Sequence, residues 1–237
     1  MSEFNVNECK LLLAKAVRML ENIELLDMNG HISYRIPGTD QILINSRKAS
    51  RASLTVNDIV MADLEGRLLE GSSEPPSEVH IHTWIYKLRP DVFSVVHNHP
   101  HFQTVLGIAG LDLKPVFSIG AFVQDIPVYE KSSLINIPQM GEELARALGG
   151  ARAIQLRHHG SVVVGEDVKD VFTASVLMEE NAKKQYYASL LGPSMRIMEG
   201  ENLQRTRDTN WSPSIKEKIW HYHEEKASRD GALDRIG

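Results

Sequence analysis

The chain has 237 residues, 42% of them hydrophobic, enough to bury a sizeable core in a single domain. A formal net charge of −5 without any block of lysine or arginine leaves no footprint for a nucleic-acid backbone. The opening MSEFNVNECK lacks the apolar core of an export signal, no apolar run approaches the ~18 residues of a membrane span, and the lone Cys9 cannot form an internal disulfide; a soluble, cytoplasmic protein that meets neither nucleic acid nor membrane is expected.

In chain order, ECKLLLAKAVRMLENIELL repeats apolar residues at helical spacing, with Asn7 as its cap and a stop near Met28-Asn29-Gly30. HISYRI, QILINS and DIVMADLEGRLLEG read as short strands, the last a hairpin around Glu65-Gly66. PPSEVHIHTWIYKLR is a helix with Pro76 in its first turn and Arg89-Pro90 at its end, and DVFSVVHNH is a strand broken by Pro100. A short helix over HFQTVLGIAG, two short strands in PVFSIGAF and DIPVYE, and a helix over IPQMGEELARALGG follow. AIQLRHHG and SVVVGED form a buried strand pair. Asp167 caps a long helix that Gly192-Pro193 ends, and residues 193–237 form a tail with one helix, Pro213 to Ala227, packing on the domain or on a neighbouring subunit. The pattern argues an α/β domain over residues 1–192, with a largely antiparallel sheet between helices.

Seven of the ten histidines fall in three stretches, HIH at 80–82, HNHPH at 97–101 and HH at 158–159. On a strand, His97 and His99 share a face, which is metal-ligand spacing, and two imidazoles leave an ion short of the three protein ligands of a catalytic site. His159 is the best third ligand, because Gly160 lets the backbone turn away beside it. Glu78 at a helix start can bind the metal at rest and then act as general base. His82, one turn after Glu78, can hold that carboxylate or face the core, and is carried with Glu78 as a catalytic candidate. His80 and His101 read as structural.

At NGHIS (29–33), PSE (76–78), RPDVFSVVHNH (89–99) and LRHHG (156–160), in that order, the sequence resembles the class II aldolase/adducin family over roughly residues 8–192. The resemblance implies a three-layer α/β/α fold and a cyclic homotetramer with sites between subunits. It also implies one divalent metal ion per subunit on His97, His99 and His159, with Glu78 as acid/base. Imidazole ligands suit zinc or manganese, and also iron or cobalt. Sugar-phosphate members resemble one another in a phosphate cradle; here its positions read Gly30-His31, Arg47-Lys48 and Pro76-Ser77. His31, Ser33, Arg47, Lys48 and Ser77 are therefore the candidate substrate-binding residues. SRKASR is either a solvated basic loop or a site for a carboxylate or phosphate. Aldolases of the family also resemble one another in a tyrosine after the metal strand, and the matching stretch KPVFSIGAFV has none.

A metal beside a carboxylate base and a cationic loop suits cleavage of a carbon–carbon bond next to a chelated oxygen. The first reading is decarboxylation of a hydroxy aromatic or pyridine dicarboxylate, a small anionic substrate, with Phe102, Phe117 or Phe122 beside the ring. The alternatives are an aldolase or epimerase/dehydratase acting on a sugar phosphate or small oxo acid, and an adducin-like binding module without catalysis.

Overall fold

The computed structural model describes residues 4–192 and 194–237 and is built on one eight-stranded sheet. The strands are β1 (His31–Arg35), β2 (Gln41–Asn45), β3 (Ile59–Asp63), β4 (Leu68–Glu70), β5 (Ser94–Asn98), β6 (Val128–Tyr129), β7 (Ala153–Leu156) and β8 (Gly160–Gly165). Their order is β4-β3-β2-β1-β5-β8-β7-β6, antiparallel throughout except for the parallel β6–β7 pair. The helices are α1 (Val6–Asn22), α2 (Val79–Leu88), α3 (His101–Ile108), α4 (Pro138–Leu148), α5 (Val168–Leu190), α6 (Gly200–Asn210) and α7 (Pro213–Arg229).

Strand alternation sorts the apolar residues into two cores. Ile32, Leu43, Val96 and Val163 face α1, α5 and α7, while Ile42, Ile44, Val95, Val162 and Val164 face α2 and α4. This is the expected three-layer arrangement. It also decides where the polar residues go: His31 and Ser33 on β1 and His97 on β5 lie on the α2 side, the register pairing His31 with His97. The Arg-Pro-Asp stretch is structural. Arg89 pairs with Asp91 at 2.7 Å and donates to the Gly149 and Ala151 carbonyls, tying the end of α2 to the α4–β7 connection.

Several expected elements differ. The cap of α1 is Asn5, not Asn7, because its Oδ1 accepts from both Asn7 N–H and Glu8 N–H; the helix stops at Asn22. Helix α2 starts at Val79, after Pro76 rather than around it. PVFSIGAF contains no strand: the Asn181 side chain on α5 accepts the Val116 and Phe117 N–H groups, and the segment tightens into a 3₁₀ turn at Ser118–Gly120. The tail holds two helices where one was expected. Helix α6 has a single buried residue, Leu203, so it carries no apolar stripe by which to recognise it. Helix α7 packs on α1 and α5, with Trp220 edge-on to Phe172. Asp167 caps α5 as expected, while Pro193 in its expected stop lies outside the described residues. Among the described residues, no helix is long and apolar enough to cross a membrane.

Candidate metal centre

Three elements deliver the imidazoles to one point. His97 is the fourth residue of β5, His99 follows the strand end, and His159 sits in the turn between β7 and β8. Donor atoms of all three lie within 4.8 Å of one another. The ring contacts agree: His97 is 5.0 Å from His99 and 4.9 Å from His159, and His99 is 5.0 Å from His159, centroid to centroid.

The neighbours of each ring fix which nitrogen is free. His97 Nδ1–H donates to the Ser161 carbonyl at 3.0 Å, and a carbonyl can only accept, so the lone pair is left on Nε2. His99 Nδ1 lies 3.4 Å from Asp27 Oδ2, which leaves Nε2 free in the same way, and Asp27 is itself anchored by accepting Asn29 N–H at 2.6 Å. Both Nε2 atoms are buried without a hydrogen-bond partner, as is His159 Nδ1. Buried nitrogens are rarely orphaned, and the free Nε2 atoms of His97 and His99, beside a donor nitrogen of His159, suit a divalent ion that would satisfy them.

Two glycines make the approach possible. Gly30 has φ +83°, and a Cβ there would lie 2.4 Å from Leu26 Cδ2 and 3.1 Å from the His97 carbonyl. At Gly160 a Cβ would lie 2.1 Å from the Asn98 carbonyl and 3.0 Å from His99 Cδ2. The expected reason for Gly160 was a backbone turn, but the left-handed residue is His158, at φ 59°, which is exposed in the turn. Gly160 serves the close approach of β8 to β5 instead.

Glu78 caps α2 with its carboxylate on the same cluster. Oε2 is 3.6 Å from His97 Nε2, Oε1 is 3.9 Å from His159 Nε2, and Oε1 accepts Ile135 N–H at 3.0 Å. Burial alone would raise this carboxyl, but the closeness of His97, with Ile135 N–H and His159 behind it, brings it down to about 2. His159 is lowered to about 4 by burial first and then by His97.

The structure redistributes the other candidates. His31 belongs beside the metal ligands: one of its ring nitrogens lies within 4.8 Å of donor atoms of Glu78 and His97, and its ring is 5.0 Å from that of His97. Ser33 and His82 do not face the pocket. Both are fully buried, His82 Nε2 is 2.6 Å from His31 Nδ1, and His82 Nδ1 is 2.6 Å from Ser33 Oγ. His82 therefore supports His31 and makes no hydrogen bond to Glu78. Ser77 is exposed just ahead of Glu78, and Arg47 and Lys48 are exposed on the loop after β2, where Arg47 N–H donates to the Glu74 carbonyl. Neither cation forms an ion pair among the described residues. Arg51, counted with them, is buried and donates to the carbonyls of Gly30, Ser46 and Ala49, so it braces the entry to β1. Phe122 packs on Trp211, Phe102 on Tyr186 and Tyr187, and Phe117 under Lys184. His80 is outside the cluster and His101 is exposed at the start of α3. Asp27 and Tyr86 are site-supporting residues that no sequence signal marked.

Comparison with known proteins follows the same lines. Residues 12–186 match the model of the Class II Aldolase and Adducin N-terminal domain. The chain belongs to the class II aldolase and adducin family. It is 28% identical over 217 residues to a 3,4-dihydroxyphthalate decarboxylase of Arthrobacter keyseri, covering 84% of this chain and 86% of the relative. It is 31% identical over 178 residues to a 5-methylthioribulose-1-phosphate/5-deoxyribulose-1-phosphate aldolase of Rhodospirillum rubrum, 74% of this chain and 78% of that one. In fold it is similar to an L-fuculose 1-phosphate aldolase from Glaciozyma antarctica, with a TM-score of 0.82 over 97% of this chain and 95% of the other at 20% identity. The chain is thus a member of an enzyme family whose named relatives are lyases, decarboxylases and aldolases alike.

Proposed function

We propose that the protein is a divalent-metal-dependent carboxy-lyase acting on a hydroxylated aromatic or pyridine dicarboxylate of the dihydroxyphthalate type, in aromatic catabolism. The observation that carries it is the convergence of donor atoms of three histidines beside a buried carboxylate, in a chain similar to a 3,4-dihydroxyphthalate decarboxylase. His97, His99 and His159 would hold the ion, zinc or manganese first and iron or cobalt next. Bound there, it supplies Lewis-acid polarisation of a substrate oxygen.

The chain's own residues do the rest. Glu78 is ionised at neutral pH, so it starts as a base or ligand and becomes a proton donor only after taking a proton at its carboxylate. Its Oε1 is pinned by Ile135 N–H, which leaves Oε2 as the oxygen free to exchange that proton. Arg47 and Lys48, exposed and without ion-pair partners among the described residues, would take the second carboxylate, and the exposed Ser77 hydroxyl lies next to Glu78. A homotetramer with sites at subunit interfaces, a small anionic substrate as the partner and a cytoplasmic location are part of the same proposal.

A sugar-phosphate aldolase is the second reading, favoured by the 31% identical relative. Against it stand the cationic and bulkier residues where sugar-phosphate members have a phosphate cradle, and the tyrosine-free KPVFSIGAFV. The intact ligand set speaks against a binding module without catalysis. To separate the enzymes, metal-loaded protein is incubated with 3,4-dihydroxyphthalate and, separately, with 5-deoxyribulose 1-phosphate. Carbon dioxide from the first without aldehyde from the second is expected; aldehyde from the second alone rejects carboxy-lyase activity.

A further inference from the structure

Between β1 and α2 runs a buried chain of side-chain hydrogen bonds that ends in the metal pocket. His31 Nδ1 is 2.6 Å from His82 Nε2, His82 Nδ1 is 2.6 Å from Ser33 Oγ, and Ser33 Oγ is 2.7 Å from the Tyr86 hydroxyl. His31 is 3% exposed, Tyr86 1%, and Ser33 and His82 are fully buried. The backbone under His31 is braced as well: Arg51 donates twice to the Gly30 carbonyl, at 3.0 and 2.9 Å, and Ile32 N–H donates to Asn45 Oδ1 at 2.8 Å. This much buried polar structure around one imidazole fixes its orientation.

The proton count gives the chain a direction. Tyr86 has one hydroxyl proton and two acceptors to choose from, Ser33 Oγ at 2.7 Å and the Phe93 carbonyl at 3.4 Å. At 3.4 Å the carbonyl lies beyond the usual O–H···O range of about 2.5–3.0 Å, so the short bond to Ser33 takes the phenolic proton. Ser33 Oγ, having accepted from Tyr86, donates its own proton to His82 Nδ1. A neutral His82 then carries its proton on Nε2 and donates it to His31 Nδ1. A neutral His31 consequently has its proton on Nε2, the nitrogen that has no partner among the described side chains, on a ring that brings one nitrogen within 4.8 Å of donor atoms of Glu78 and His97.

We propose that His31 is not a metal ligand but a fixed N–H donor that orients an anionic substrate oxygen beside the metal, with His82, Ser33 and Tyr86 as positioning residues that set its tautomer. The inference rests on the metal-lyase reading for its substrate, while the tautomer it assigns stands independently of that reading. An N–H at this place favours a carboxylate or phenolate oxygen over a hydroxyl that must donate, which fits an anionic aromatic acid.

The test uses the full-length, zinc-loaded protein labelled with nitrogen-15, whose histidine tautomers are read from long-range proton–nitrogen correlations. His31 and His82 are each expected as neutral rings protonated at Nε2. Protonation of either at Nδ1, or a zinc-bound His31 nitrogen, overturns the proposal. In parallel, His31→Ala is expected to keep its zinc and to lose kcat/KM for 3,4-dihydroxyphthalate by roughly 10–100-fold; loss of zinc from this variant would make His31 a ligand and overturn it. Ser33→Ala should disturb the His82 and His31 nitrogen signals and lower kcat/KM with zinc retained, and Ser33→Thr, which keeps the hydroxyl, should restore both. Unchanged signals in Ser33→Ala contradict the chain. If the wild-type protein does not turn over the phthalate at all, the carboxy-lyase reading fails and the nitrogen spectra and zinc content still decide the role of His31.

Discussion

His99 and His97 share a cluster but not a kind of support, and the difference is measurable. The Nδ1–H of His97 is held by a main-chain carbonyl between two paired strands, whereas that of His99 depends on Asp27, a half-exposed carboxylate on the loop after α1. Asp27→Asn is therefore expected to weaken zinc binding by roughly 10–100-fold, the usual cost of losing an outer partner of a ligating histidine. Competition with a chelator of known affinity measures it, and an unchanged affinity would show that Asp27 does not support His99. Arg47→Ala is expected to raise KM for an anionic substrate with little change in kcat, since an exposed cation away from the histidine cluster contributes binding rather than chemistry. An unchanged KM would return the SRKASR loop to plain solvated charge. The pairing of His97 with His99 was legible in the sequence because strand periodicity puts them on one side. The partnership of His31 with His82 was not, because it joins β1 to α2 across 51 positions and no local pattern announces it.

The strand pair β5–β8 and the helix α5 behind it set the precision of the site. Gly160→Ala drives a Cβ against the Asn98 carbonyl, and overpacking of this kind costs about 1–3 kcal/mol. Because His159 and His99 flank that contact, the variant is expected to lose zinc affinity together with Tm; a lower Tm with full affinity would separate the strand contact from the metal site. Asp167→Ala removes the acceptor for Asp170 N–H at the start of α5 and is expected to cost about 0.5–2 kcal/mol, read by denaturant unfolding, with zinc affinity unchanged. Elements with a strong apolar period, such as β5 and α5, could be read from sequence to within a few residues. Those shaped by one tertiary hydrogen bond could not, as Asn181 shows by turning an apolar run into a 3₁₀ turn. Nor could α6, which is polar on nearly every side.

Across the molecule, two cores hold a largely antiparallel sheet whose central strands β1 and β5 carry His31 and His97 into the interior. That arrangement ties stability to pH. Burial first and then the neighbouring His97 lower His82 to about 3 and His159 to about 4, against about 6.5 for an imidazole in the unfolded chain. Below pH 6.5 the unfolded state binds more protons than the folded one, so this stabilisation is complete above about pH 6.5 and is lost as pH falls towards those values. Chelator-treated protein is expected to show a Tm that falls steadily from pH 7 to pH 5; a flat profile would mean that the buried imidazoles are not neutral. A largely antiparallel sheet between helices followed from the order of strands and helices and its three layers from the family resemblance, while the tail's extra helix, α6, emerged only in the structure.

The central claim is that one divalent ion is held by three converging imidazoles, and zinc titration of chelator-stripped protein tests it most directly. The expected result is one site per chain in the wild type, abolished in both His97→Ala and His159→Ala while circular dichroism shows the fold retained. No binding to the wild type, or undiminished binding by either folded variant, would contradict it.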